Sequence, residues 1–250
     1  MKAACMAAAA LVAGCAPVLA EPGGATGRCE AVMQMSATQS AEYERAMEVE
    51  VTQLLGDGRY VAVLDVVKQV PSPTAALLNA QGVAYEHLGG FESARLSYEE
   101  SIKLNPKASV VYNNLGTVFY ARHDNKMALK MYKKAIRLNA KFASAYKNLG
   151  AAYFHEGKYR RGSEAFEEAI TLDPSVFDRS GLMMDAEDAA TLANMNYFLA
   201  QLCAKSGRAD ASIAYLNRAI AEGFRDYGKL KKDDAFASVR NLPDFPSPTH

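Results

Sequence analysis

Three glycines fall at equal intervals in this sequence: Gly82, Gly116 and Gly150, with 116 − 82 = 34 and 150 − 116 = 34. A period of this size marks a repeat architecture, in which a unit too small to bury its own apolar face stacks on its neighbours. Other positions keep step with the glycines: Tyr85, Phe119 and Tyr153; Ala94, Ala128 and Gly162; Tyr98, Tyr132 and Phe166; Ser101, Ala135 and Ala169; Pro106, Ala140 and Pro174. The residue types suit a pair of helices per unit. Gly on the first helix permits a close crossing, and the aromatic three residues later fills the space beside it. The small residue on the second helix allows approach, and the aromatic after it plugs the gap. Gly89 and Gly157 fit the turn between the two helices, while His123 stands at that turn in the middle copy and Ala140 replaces its closing proline.

This pattern resembles the tetratricopeptide repeat family, whose units run through a large or aromatic residue, Leu-Gly, an aromatic, Ala, an aromatic, Ala and Pro. The resemblance implies an all-α fold, a right-handed superhelical solenoid of antiparallel helix pairs closed by a C-terminal capping helix segment. Three full units are expected at residues 75–108, 109–142 and 143–176, and a fourth at 193–226 after an insertion at 177–192. In the fourth unit Cys203 stands where the others have Tyr85, Phe119 and Tyr153, so it is expected in the core, unpaired with Cys29. Upstream, residues 39–74 read as a degenerate helix pair turning at Gly56-Asp57-Gly58 and ending at Pro71-Ser72-Pro73. Residues 227–245 read as the cap, with Lys231, Lys232, Asp233 and Asp234 facing water, and 246–250 as a disordered tail.

The N-terminus argues for export. Met1 and Lys2 precede an apolar run from Ala3 to Ala13, too short to span a bilayer and similar to a secretory signal peptide. Two processing sites compete. Val18-Leu19-Ala20 would release a periplasmic chain at Glu21, with residues 21–38 as a linker. Val12-Ala13-Gly14-Cys15 resembles a bacterial lipobox, so that residues 1–14 would be removed and Cys15 would carry a lipid anchor to the cell envelope. A retained N-terminal helix is the third reading.

Charge excludes one partner class and suggests another. Lys+Arg and Asp+Glu are equal at 28 each, which is not the surface of a general nucleic-acid binder. Yet Ser101 to Arg161 holds thirteen cations against Asp124 and Glu156, and Lys126, Lys130, Lys134 and Arg137 recur at helical spacing as one basic stripe. The stripe is read either as a solvated helix face or as a surface for an acidic partner or anionic head groups.

Chemistry is hard to find. There is no Cys-x-x-Cys, His-Glu-x-x-His, Gly-x-Ser-x-Gly or phosphate-binding loop, and the four histidines do not converge along the sequence. His87 and His155 occupy equivalent places two units apart, too far to share an ion. No enzyme activity, cofactor or metal is expected. Binding remains, and the resemblance places the partner groove on the first helices at Asn79, Val83, Glu86, Asn113, Asn114, Thr117, Tyr120, Lys147, Asn148, Ala151, Phe154, Tyr197, Phe198 and Gln201. Asn can pair with a peptide backbone, and Tyr120, Phe154 and Tyr197 offer apolar contact. For Asn114 and Asn148 the alternative is that they satisfy neighbouring helix backbones. The carboxylate clamp of some co-chaperones in the family is matched only by Asn114, since Ser144 and Asn148 stand where cations are needed. The leading expectation is a protein-binding scaffold or adaptor of the bacterial cell envelope. The alternative is a peripheral binder of anionic lipid or polymer through the basic stripe, and a third reading is a regulator of a bound enzyme. Oligomeric state is left open.

Overall fold

The computed structural model describes residues 37–177 and 189–246. Cys15, both processing sites, the linker up to residue 36, residues 178–188 of the insertion and residues 247–250 lie outside the described residues. All regular structure among those described is helical. The helices are α1 (Ala37–Gly56), α2 (Tyr60–Lys68), α3 (Ala75–His87), α4 (Phe91–Leu104), α5 (Ser109–Ala121), α6 (Asn125–Leu138), α7 (Ala143–His155), α8 (Tyr159–Leu172), α9 (Ala189–Lys205), α10 (Ala209–Ala221) and α11 (Tyr227–Lys232), followed by a 3-10 turn at Asp234–Phe236. None is long and apolar enough to cross a membrane. The chain divides into two compact units, one through Val118 and one from Phe119.

In the first unit α1 and α2 pack together and against α3 around Met47, Val51, Leu54, Val63, Val67 and Leu77. Thr74 starts α3: its Oγ1 accepts from the Leu77 amide and donates to Glu48 on α1 at 2.6 Å, which ties the repeat to the upstream pair. α3 and α4 form the first full helix pair. A β-carbon on Gly82 would lie 2.4 Å from Cε1 of Tyr98, so glycine is required there by the ring of the facing helix rather than by its backbone. Ser101 Oγ completes the pair by donating to the Ala75 carbonyl at 2.7 Å.

In the second unit α7 pairs with α8 and α9 with α10, and α6 packs on α7. The same device recurs in α7 and α8, where a β-carbon on Gly150 would meet Cδ1 of Phe166 at 2.3 Å. Tyr132, Phe166 and Leu216 are all buried at the corresponding position of the second helices. Cys203 is 1% exposed, beside Leu199, Ala200 and Leu216 in the core.

Candidate functional site

On α3, Asn79, Val83 and Glu86 share one half-exposed face, opposite the buried Leu77, Ala80 and Ala84. On α5, Asn114 and Thr117 present a similar face. Asn114 Nδ2 donates to Asn79 Oδ1 at 3.1 Å, a side-chain bridge between the two first helices and not a bond to helix backbone. Among the described residues Asn79 Nδ2 has no acceptor, so its amide protons remain for another molecule. Thr117 instead spends its hydroxyl on the Asn113 carbonyl one turn back, at 3.2 Å. Asn113 is only 7% exposed, and so it is not open to a partner. Glu86 is half-buried, and Tyr98 Oη donates to its carboxylate at 2.9 Å. Burial pushes the Glu86 carboxyl up to about 6 against the opposing pull of that hydrogen bond, and burial beside the carboxylate raises the Tyr98 phenol.

The second unit corrects the groove assignment most. Phe154 is 0% exposed: it stacks on Phe166 with centroids 5.1 Å apart and leans on Phe198 at 5.4 Å. Its burial has a specific cause on α8. Gly162 carries no side chain, and a β-carbon there would lie 2.5 Å from Cδ2 of Phe154, so the ring occupies the space that a methyl group fills at Ala94 and Ala128 in the two preceding repeats. Ala151 at 6% and Lys147 at 5% exposure are also enclosed, and burial lowers the pKa of the Lys147 ammonium. Asn148 and Tyr120 keep partial exposure.

On α9 the expected groove is covered by the chain itself. Tyr197 is 1% exposed, stacked on Phe224 at 4.6 Å and edge-on to Phe236 at 5.6 Å. Its hydroxyl and the Gln201 amide both donate to Asp233 Oδ2 at 2.6 Å, and Lys229 Nζ sits 4.8 Å over the ring. Asp233 therefore does not face water as its charge suggested. Burial raises its carboxyl, but hydrogen bonds from Tyr197, the Ala235 amide and Gln201 outweigh that and hold it below its usual range. Lys231, Lys232 and Asp234 are exposed. Of the three α9 positions Phe198 and Gln201 remain partly accessible.

The basic stripe lies on α6, whose buried side is Ala128, Leu129, Tyr132 and Ala135. Lys126, Lys130 and Arg137 are exposed and Lys134 is half-buried, on a helix without a single acidic residue. At the turn before α6, His123 approaches His155 at the end of α7, with ring centroids 6.4 Å apart. Sequence spacing hid this pair: 155 − 123 = 32, so the two are not equivalent positions, and only the last residue of a first helix meeting the preceding turn brings them together.

Family models for the tetratricopeptide repeat match residues 75–108, 116–157, 143–176 and 193–221. The chain is a tetratricopeptide repeat protein. Similar solved structures of this fold include the crystal structure of MamA, at 20% identity over 79% of this chain and 98% of that one, with a TM-score of 0.43. MamA 41-end from Desulfovibrio magneticus RS-1 is 18% identical over 72% and 94%, with a TM-score of 0.49. The first TPR of Spaghetti (RPAP3) bound to HSP90 peptide SRMEEVD is 24% identical over 40% and 80%, with a TM-score of 0.40. No curated protein sequence matches. Tetratricopeptide repeats form protein-interaction scaffolds, and this tetratricopeptide protein has the helix pairs and the partly open first-helix faces of one.

Proposed function

We propose that this protein is a non-enzymatic adaptor that holds an extended segment of a partner protein along α3 and α5. The observation that carries this is the Asn79–Asn114 bridge. It aligns two amides on neighbouring first helices, fixes the orientation of one by the other, and leaves the Asn79 amide protons to donate to a backbone carbonyl. Val83 beside them supplies apolar contact. In the second unit Tyr120, Asn148, Phe198 and Gln201 are the groove positions with exposed surface, so they are the places to look for a contact on that unit.

The test is selection of peptides from a random library on the full-length protein, followed by titration of the winners against Asn79→Ala and Asn114→Ala. Each substitution is expected to weaken binding by about tenfold, in line with a lost hydrogen bond that leaves a partner group unpaired, while the melting temperature is unchanged. Selected peptides whose binding ignores both substitutions would place recognition elsewhere.

A second reading is favoured by the acid-free, exposed face of Lys126, Lys130 and Arg137: docking on an anionic surface. Retention on anionic vesicles that collapses between low and high salt, and weakens in a Lys126→Glu, Lys130→Glu double variant, is the expected signature. Cell-envelope placement rests on the signal-like N-terminus alone, and the mass of the mature chain distinguishes a start at Glu21 from an acylated Cys15.

A further inference from the structure

The turns within the repeats follow one rule with one exception. Gly58, Gly89, Gly157 and Gly207 adopt φ of +68°, +77°, +69° and +75°, and the equivalent residue before α6 is His123 at φ +60°. That region is unfavourable for a residue with a β-carbon, so a side chain held there against glycine's advantage is a reason to ask what it meets. It meets another imidazole. The last residue of a first helix lies against the start of the preceding second helix, and in the first unit this puts the His87 ring flat on Tyr60, the first residue of α2, at 4.2 Å. In the second unit His155 meets Asn125, the first residue of α6, at 3.1 Å and also approaches the turn residue His123, with centroids 6.4 Å apart and both histidine side chains exposed.

We propose that His123 and His155 form a two-imidazole site for a divalent transition-metal ion of the nickel or zinc type. Metal–nitrogen bonds of about 2.1 Å place each ring centre about 3.2 Å from an ion, so two rings on one ion stand about 5 to 6.4 Å apart, depending on the angle between them. The observed separation lies at the outer edge of that range, and small rotations of two exposed side chains close it. His155 is already oriented. Tyr120 packs nearly perpendicular to its ring at 5.8 Å, and Nδ2 of the Asn125 amide lies 3.1 Å from Nδ1. A half-turn of that amide brings its oxygen to Nδ1–H and leaves the Nε2 lone pair for the ion, the usual support of a ligating histidine. Among the described residues no three His, Cys, Asp or Glu side chains converge, so water completes the coordination and the ion is exchangeable. Neutral imidazole is the ligand chemistry that suits nickel and zinc.

The test uses the full chain without an affinity tag, in a phosphine reductant, titrated calorimetrically with nickel chloride. The wild type is expected to bind one ion with micromolar affinity, and His123→Gly and His155→Gln each to weaken it by at least about tenfold. Without metal, His123→Gly should melt no lower than the wild type, because glycine is the residue the other turns use, so lost binding cannot be attributed to lost folding. Absence of nickel binding by the wild type overturns the proposal. So does undiminished binding by His123→Gly, which would put the ion elsewhere on the chain.

Discussion

The Tyr98 hydroxyl donates to the Glu86 carboxylate across 2.9 Å in the first repeat, where the third repeat stacks Phe154 on Phe166 at 5.1 Å. The same two helix positions thus carry a polar contact in one unit and an apolar one in the other. The apolar version adds aromatic contact without a desolvated charge. The polar version makes the first unit sensitive to pH.

The sign of that sensitivity follows from the carboxyl at about 6 in the folded chain, above the ~4.3 of an unfolded glutamate. The folded state binds this proton more tightly, so stability is higher below the unfolded value and falls as pH rises through the window up to about 6. The difference is about 2 kcal/mol. Glu86→Gln keeps an acceptor for Tyr98 and is expected to flatten this part of the profile and to raise stability at pH 7.5 by about 1 kcal/mol. Urea melts of both proteins between pH 4 and 7.5 check it. Parallel profiles would show that Glu86 is not the group responsible.

Gly150→Ala should destabilise although alanine is the better helix former by about 1 kcal/mol. The new methyl would collide with the Phe166 ring at 2.3 Å and crowd the Gly162 carbonyl at 3.1 Å, and such overpacking costs about 1–3 kcal/mol. Adding Phe166→Leu should recover part of the loss. A double-mutant coupling below about 0.5 kcal/mol would mean the ring is not what excludes the side chain.

Phe154→Ala is expected to cost about 3–5 kcal/mol, the range for emptying a core aromatic site. Denaturant titration decides between this and the groove assignment of the residue, under which folding would be nearly intact.

Asp233→Ala leaves the Tyr197 hydroxyl and the Gln201 amide without their shared acceptor in an enclosed site, at an expected cost of about 1–3 kcal/mol. Amide hydrogen exchange should quicken around Phe224 to Val239 before it changes in α6 or α7. Uniform exchange throughout would mean that the carboxylate does not fasten the segment.

What the sequence made legible was periodic, and what it concealed depended on deviations from the period. Gly82, Tyr98, Gly150, Phe166 and the buried Cys203 are each placed in the interior by residue type at a fixed offset, so the 34-residue recurrence was enough to find them, but not to show that each glycine makes room for the facing ring and not for a backbone. Whether Phe154 faces outward was settled by a residue eight positions on, where Gly162 replaces alanine and opens a hole for the ring. Tyr197 is covered by residues up to 39 further along the chain, a tertiary event with no local signature. Asn79 and Asn114 could be named from the repeat, but their mutual bond requires the distance between two helices.

The aromatic and carboxylate seat on α9 also limits how such a chain can lengthen. Repeat arrays grow by duplication, and a new unit added after Phe245 would find α9 already sealed by Phe224, Asp233 and Phe236. A unit added there could not stack on α9, whereas copies inserted ahead of α9 would not meet the covered face, so the segment after α10 acts as a ratchet that directs the growth of the array inward.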